Sequence, residues 1–309
     1  MGMLIDGTWD NNTDRFMVGG KFQREASALP SDLNNHTVNE IENRPEGFIL
    51  VASASCPWSH GVVIAAVLCG LSDRLAVQWA GGPRIEGYGL LADGPLCSVN
   101  NIEYVHQLYS MTNPTYTGRT TVPVLWDKEK QKILSNSSAD IIAAIVQSGS
   151  GHSLKLDGNQ REVDDLTQEI FDGLSNAVYR AGLAEKQSEY DEAVETVFAT
   201  MDRLETRLSD QMFLFGAAMT TADVRLFATL VRFDTVYATH FRCTRKRLVE
   251  YPALWRFTRQ IYQMPGIKQT IDFEEIRFGY YVNDGSHNPH NIIGQQPIID
   301  WESKVGLEQ

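Results

Sequence analysis

The stretch FILVASASCPWSHGVVIAAVLCGL, residues 48–71, decides the fold. Its opening, FILVAS, is a short, continuously apolar run with β-branched residues, as expected of a central strand covered on both faces. WSHGVVIAAVLCGL is long enough for a helix, with Pro57 suited to the first turn and Gly70 near the end. LAVQW (75–79) reads as a second strand. Strand, helix and strand in that order predict a parallel βαβ unit. Between the first strand and the helix stands Cys56, immediately before a proline.

Downstream, a Gly-rich irregular insertion (81–100) precedes NIEYVHQLYSM, where Ile102, Val105, Leu108 and Tyr109 recur at helical spacing. TTVPVLWD and KILS read as two strands joined by the charged turn KEKQ, and SNSSADIIAAIV as a helix with a polar, capping start. The order is βαβ followed by ββα. From about residue 160 strand signals fade. Val163, Leu166, Ile170, Leu174 and Val178 form one apolar stripe, and Val194, Val197, Met201, Leu204 and Leu208 another. In TTADVRLFATLVRF, Thr220 and Asp223 have the spacing of a capping box. The expected organisation is an irregular extension (1–45), a mixed α/β domain (46–150), an all-helical domain (160–285) and a polar tail (286–309).

The 309 residues include 43% hydrophobic side chains, enough for a packed core, and carry a formal charge of -12. That balance argues against a nucleic-acid surface, which needs a basic face. The N-terminus lacks the basic and apolar segments of a signal peptide, and the longest apolar run is too short for the ~20 residues of a membrane span. Cys56, Cys69, Cys97 and Cys243 show neither C-x-x-C nor paired-ligand spacing, so the reducing cytoplasm fits best. His287 and His290 are three residues apart but have no acidic or cysteine neighbour, and read as loop rather than a metal site.

Cys56 falls at a helix N-terminus, where free N–H groups and the macrodipole favour a thiolate. Its C-x-x slot is Ser59, so a local disulfide is impossible and a one-thiol cycle is implied. The plainer reading is a small buried residue, which suits Cys69, inside an apolar helix.

The motifs SASCPWSH, YTGRTTVPVLWDKEKQKILSNSSADII, AVYRAGLA, TTADVRLFATLVRFDTVYATHFRC and YPALWRFTRQIYQMPGIKQTIDFEEIRFGYY stand in order between about Phe22 and Pro289. Together they resemble the glutathionyl-hydroquinone reductases, the Xi class of the glutathione transferase superfamily. The resemblance implies a thioredoxin-like N-terminal domain, a helical C-terminal domain and a homodimer. It matches Cys56 to the catalytic cysteine, and Val122-Pro123 to a valine and cis-proline pair whose valine backbone binds the cysteinyl group of glutathione. Arg119 matches a glutathione-binding arginine, and Ser138 the serine that holds the γ-glutamyl carboxylate. Tyr179 and Tyr280 match two tyrosines beside the thiol that face the aromatic substrate, with Tyr281 the alternative if the register slips by one.

Two departures fall on the thiol subsite. Where the family reads SNES, Ser137 replaces the glutamate that pairs with the γ-glutamyl ammonium. Where it has a tryptophan covering glutathione, Tyr88 stands. Either Asp140 compensates, or the co-substrate is another low-molecular-weight thiol such as mycothiol. The expected activity is thiol-dependent reduction of S-conjugated hydroquinones through a Cys56 mixed disulfide. The alternatives are a conjugating glutathione transferase, a glutaredoxin-like thiol reductase, or a binding module that has lost thiol binding. No metal is expected.

Overall fold

The computed structural model describes residues 2–12, 17–18, 21–22, 29–92, 94–96, 102–155 and 158–305; Cys97 lies outside them. Strands β1 (Met3–Ile5) and β2 (Thr8–Asp10) form a hairpin about Asp6 and Gly7, both at positive φ, the turn geometry that an Asp-Gly pair favours. The two-residue strands β3 (Met17–Val18) and β4 (Lys21–Phe22) pair next. Helix α1 (Asn35–Asn43) follows, its first turn closed by the Asn34 side chain accepting from the Thr37 N–H at 3.1 Å. The expectation of an irregular stretch to residue 45 therefore fails here. Only Val38 and Ile41 give this polar segment an apolar face, too few to show periodicity, and both are buried.

The central sheet holds β5 (Phe48–Ala52), β6 (Ala76–Gly81), β7 (Gly89–Leu90), β8 (Val124–Asp127) and β9 (Lys132–Ser135), in the order β7-β6-β5-β8-β9. β5 is central, every residue is buried, and it pairs in parallel with β6 and antiparallel with β8. The connection between β5 and β6 is helix α2 (Pro57–Leu68). Gly70, at φ 75°, ends that helix in a Schellman motif: Leu71 N–H bonds to Ala66 C=O at 2.8 Å and Gly70 N–H to Val67 C=O at 3.1 Å. Helices α3 (Val105–Thr112) and α4 (Ser138–Ser148) complete the βαβ–ββα order read from the sequence.

The helical part comprises α5 (Gln160–Ile170), α6 (Ala177–Gly182), α7 (Gln187–Leu208), α8 (Thr221–Leu230), α9 (Pro252–Tyr262) and α10 (Phe273–Tyr281). The apolar stripe from Val163 to Val178 is not one helix. From Leu166 onward its steps of four drift from the 3.6 period, and a π turn at Phe171–Ser175 absorbs the drift. The capping box at Thr220 forms as expected: Asp223 accepts from the Thr220 N–H at 2.7 Å and from its hydroxyl at 2.9 Å. Helix α2 packs between α4 and α8, and a Cβ on Gly61 would sit 3.8 Å from both Ile142 and Val224. One apolar core therefore runs from the sheet into the helical domain, and a second covers the other sheet face with Ile49, Val51, Val124 and Trp126. In the tail, Trp301 is buried against Trp255, Tyr262 and Phe273.

Among the described residues no helix is long and apolar enough to cross a membrane, and no three His, Cys, Asp or Glu side chains gather as a metal site would.

Candidate active site

Cys56 is the N-cap of α2, in extended backbone conformation. Its Sγ accepts from the Ser59 N–H at 3.5 Å, one of the donors that a helix start leaves unpaired. The same sulfur lies 3.6 Å from the carbonyl oxygen of Val122. The Val122-Pro123 bond, just before β8, is cis. Cys56 is 8% exposed, and its small open face borders a cavity of about 1210 Å³.

The loop before β8 is held from beneath by Tyr109. Its buried hydroxyl donates to Thr121 C=O at 2.8 Å and accepts from Thr121 N–H at 3.1 Å and from the Asn136 amide at 2.9 Å. One phenol thus ties the cis-proline loop to the segment that opens α4. Leu4 of β1 exchanges two backbone bonds with Gly118, at 3.0 and 2.9 Å, fixing the residue next to Arg119. Arg119, Ser137 and Ser138 all line the cavity. Ser137 is the N-cap of α4, its Oγ accepting from the Asp140 N–H at 3.3 Å. Asp140 is exposed and is not among the cavity-lining residues. Tyr88 also lines the cavity, with the Arg84 guanidinium 3.6 Å above its ring.

Tyr179 and Tyr280 meet on this cavity, their hydroxyls 2.6 Å apart. A third phenol joins them: the Tyr237 hydroxyl lies 2.9 Å from that of Tyr280. The three come from α6, α10 and the π turn Phe233–Tyr237. Burial pushes the Tyr280 phenol well above its usual range and raises Tyr237 as well. Tyr280 and Tyr237 therefore keep their protons at neutral pH, and hydroxyls in such contact can pass a proton along. Tyr281 is placed elsewhere, with its hydroxyl 2.8 Å from Thr239 and its ring against His240.

Sequence reasoning missed Tyr237, which sits in the quoted FDTVYATHF segment with no local signal to distinguish it. It also missed Trp58, whose ring centroid is 5.2 Å from that of Tyr179, and Trp9 and Arg84 on the wall. Trp9 belongs to the hairpin that the irregular reading overlooked.

The family described as glutathione S-transferase, N-terminal domain, matches residues 55–146, and its C-terminal counterpart matches residues 187–260. The chain is 39% identical to glutathionyl-hydroquinone reductase YqjG of Escherichia coli, with 100% of this chain and 99% of that protein covered. It is 36% identical to glutathionyl-hydroquinone reductase PcpF of Sphingobium chlorophenolicum, covering 96% of each. Among solved structures, a Xi-class glutathione transferase from Natrialba magadii superposes with a TM-score of 0.90 at 33% identity, covering 99% of this chain and 97% of that one. The glutathione-bound structure of YqjG superposes with a TM-score of 0.84 at 35% identity, covering 99% and 98%. With a thioredoxin-like sheet, a helical second domain and relatives matched end to end, the chain belongs to the glutathionyl-hydroquinone reductases, the Xi class of the glutathione transferase superfamily.

Proposed function

We propose that this protein is a thiol-dependent reductase that removes glutathione from S-conjugated hydroquinones. The observation that carries the reading is the single cavity bordered by Cys56 at its helix start and by Tyr179 and Tyr280, with the Tyr237 hydroxyl buried behind Tyr280. A nucleophile and a proton donor are thereby offered to one substrate.

In the cycle, the conjugate's ring passes through a ketone-like tautomer. The Cys56 thiolate attacks the conjugate sulfur, the S–C bond breaks, and its electron pair runs through the ring to the ketone oxygen, which takes up a proton as the hydroquinone forms; the ring carbon that held sulfur took up its proton when the ketone formed. The phenol cluster manages that proton and presents flat apolar faces to the ring. Cys56 is left in a mixed disulfide with glutathione. A second glutathione, as thiolate, attacks the sulfur of the bound glutathione, releasing Cys56 and glutathione disulfide. The ring carbon is reduced, and two sulfurs, that of the conjugate and that of the second glutathione, are oxidised to the disulfide. Arg119, the Val122 backbone beside Pro123, Ser137, Ser138 and Tyr88 form the thiol subsite. The working form is a homodimer in the cytoplasm.

Glutathione is the co-substrate to which this reading commits. Ser137, neutral and engaged as a helix cap, offers no charge to a γ-glutamyl ammonium, and Asp140 does not line the cavity. These two features favour mycothiol, which lacks that ammonium, as the second reading. Intact-mass and product analysis of wild type and Cys56→Ser with a glutathionyl-hydroquinone, adding glutathione or mycothiol separately, tests both. A trapped Cys56 adduct with released hydroquinone is expected from wild type and absent from the variant. Release of hydroquinone by Cys56→Ser at the wild-type rate would overturn the mechanism.

A further inference from the structure

Arg232 follows α8 and is fully buried, yet among the described residues no carboxylate lies within ion-pair distance of it. Its donors are instead spent on neutral groups. Nη2 donates to Ala54 C=O at 2.6 Å, Nε to Ser55 C=O at 3.3 Å, and Nη1 to Ala228 C=O at 2.6 Å. Nη1 also lies 3.0 Å from Nδ1 of His60. A guanidinium has no acceptor, so Nδ1 must be the bare nitrogen. The imidazole proton therefore sits on Nε2, donated to the Thr270 hydroxyl at 2.8 Å, which donates in turn to Ile267 C=O at 2.7 Å. His60 is neutral: burial and the adjacent guanidinium push its pKa well below the usual value.

Carbonyl dipoles satisfy the donors of a buried cation without cancelling its charge, and such an ion is expensive to keep. What the cation holds is specific. Ala54 and Ser55 are the two residues that lead into Cys56, and they belong to the thioredoxin-like part, whereas Arg232 belongs to the helical domain. Its field also reaches the phenols: the same charge opposes the upward push of burial on both Tyr237 and Tyr280. Among the described residues the hydrogen-bond partners of the Cys56 sulfur are the Ser59 N–H and the Val122 carbonyl, both uncharged.

We propose that Arg232 is a positioning residue for Cys56: it locks the Ala54–Ser55 turn that presents the thiol and sets a buried positive charge behind it, so that anionic sulfur is stabilised across the domain boundary. The inference rests on the reading of Cys56 as the nucleophile.

The test compares Arg232→Met, Arg232→Gln and Arg232→Lys, with folding checked by thermal denaturation. Cys56 alkylation by iodoacetamide at pH 7 is followed by peptide mass, alongside kcat and KM for glutathione. Each neutral variant that folds is expected to alkylate about tenfold more slowly and to lose kcat by a similar factor, with KM within about twofold. Arg232→Lys keeps the charge and loses the fork, so alkylation stays within about threefold of wild type while kcat remains reduced. A folded neutral variant that alkylates at the wild-type rate overturns the inference. So does Arg232→Lys alkylating more than about tenfold slower, whatever the neutral variants do. Alkylation needs no substrate, so a wild type that alkylates at Cys56 but releases no hydroquinone defeats the reductase reading and leaves Arg232 to be judged on its own.

Discussion

The hydroxyls of Tyr179 and Tyr280 lie 2.6 Å apart, although the two residues are 101 positions apart in the chain and stand on different helices. Tyr280 is the shared member of the cluster, because its hydroxyl also lies 2.9 Å from that of Tyr237. Its removal cuts both of these links and leaves only the bond between Tyr237 and Tyr179.

Tyr280→Phe is therefore expected to lower kcat on the order of 100-fold, the size of a lost general-acid contribution, with KM for the thiol unchanged. Tyr237→Phe, which leaves the Tyr179–Tyr280 pair intact, costs less than about tenfold. Steady-state kinetics on a glutathionyl-hydroquinone checks the order. Equal loss in both variants would show that the third phenol acts directly.

Ser137→Glu restores a carboxylate at the start of α4, where it can face an ammonium. A charged hydrogen bond contributes about 1.5–3 kcal/mol, so glutathione binding is expected to tighten roughly tenfold to a hundredfold. Mycothiol binding does not tighten, for want of the ammonium. Calorimetric titration of both thiols reads this directly, and equal gains for the two would sink the assignment of this subsite.

Stability should depend on pH through His60. Its pKa is depressed in the folded state, so the unfolded chain binds a proton first as pH falls through about 6.5. The stability is fully present above that value and is lost below it, at a slope approaching about 1.4 kcal/mol per pH unit. Asp223 acts in the opposite sense: burial pushes its carboxyl up to about 6, so its contribution is lost as pH rises toward that value. Comparing wild type with His60→Gln by urea unfolding between pH 7 and 5 isolates the histidine. The variant should show the shallower loss on acidification.

Two glycines in helical segments should respond in opposite directions. Gly61 has room for a methyl group at ordinary contact distance, so Gly61→Ala should stabilise by about 0.5–1 kcal/mol through backbone entropy. At Gly173, a Cβ would meet the Thr200 Oγ1 at 2.5 Å, with the buried, β-branched Thr200 unable to give way, so Gly173→Ala should destabilise by about 1–3 kcal/mol. Thermal melts of the pair test the packing of α2 and of the π turn.

The parts of the site that lie near one another in sequence were legible there. Cys56 as N-cap of α2, Ser137 and Ser138 at the start of α4, and the Thr220–Asp223 box all depend on hydrogen bonds spanning three or four residues. The assignments of Arg119, Tyr179 and Tyr280 came from resemblance alone. Helix α1 and the N-terminal hairpin were overlooked because their apolar residues are too few to print a period. They form because Val38, Ile41 and Leu4 find cores supplied by distant segments.

The sequence by itself determined the βαβ–ββα order, the helical second half and a thiol at a helix start, since period, turn chemistry and capping act over a few residues. Only the tertiary structure decided that Tyr237 joins Tyr179 and Tyr280, that Trp9 reaches the cavity wall, and that Arg232 comes from the helical domain to grip the two residues before Cys56. The physical reason is distance along the chain. These meetings span from 43 to 178 residues, and no local preference encodes them; they are set by which apolar faces bury one another when the two domains pack.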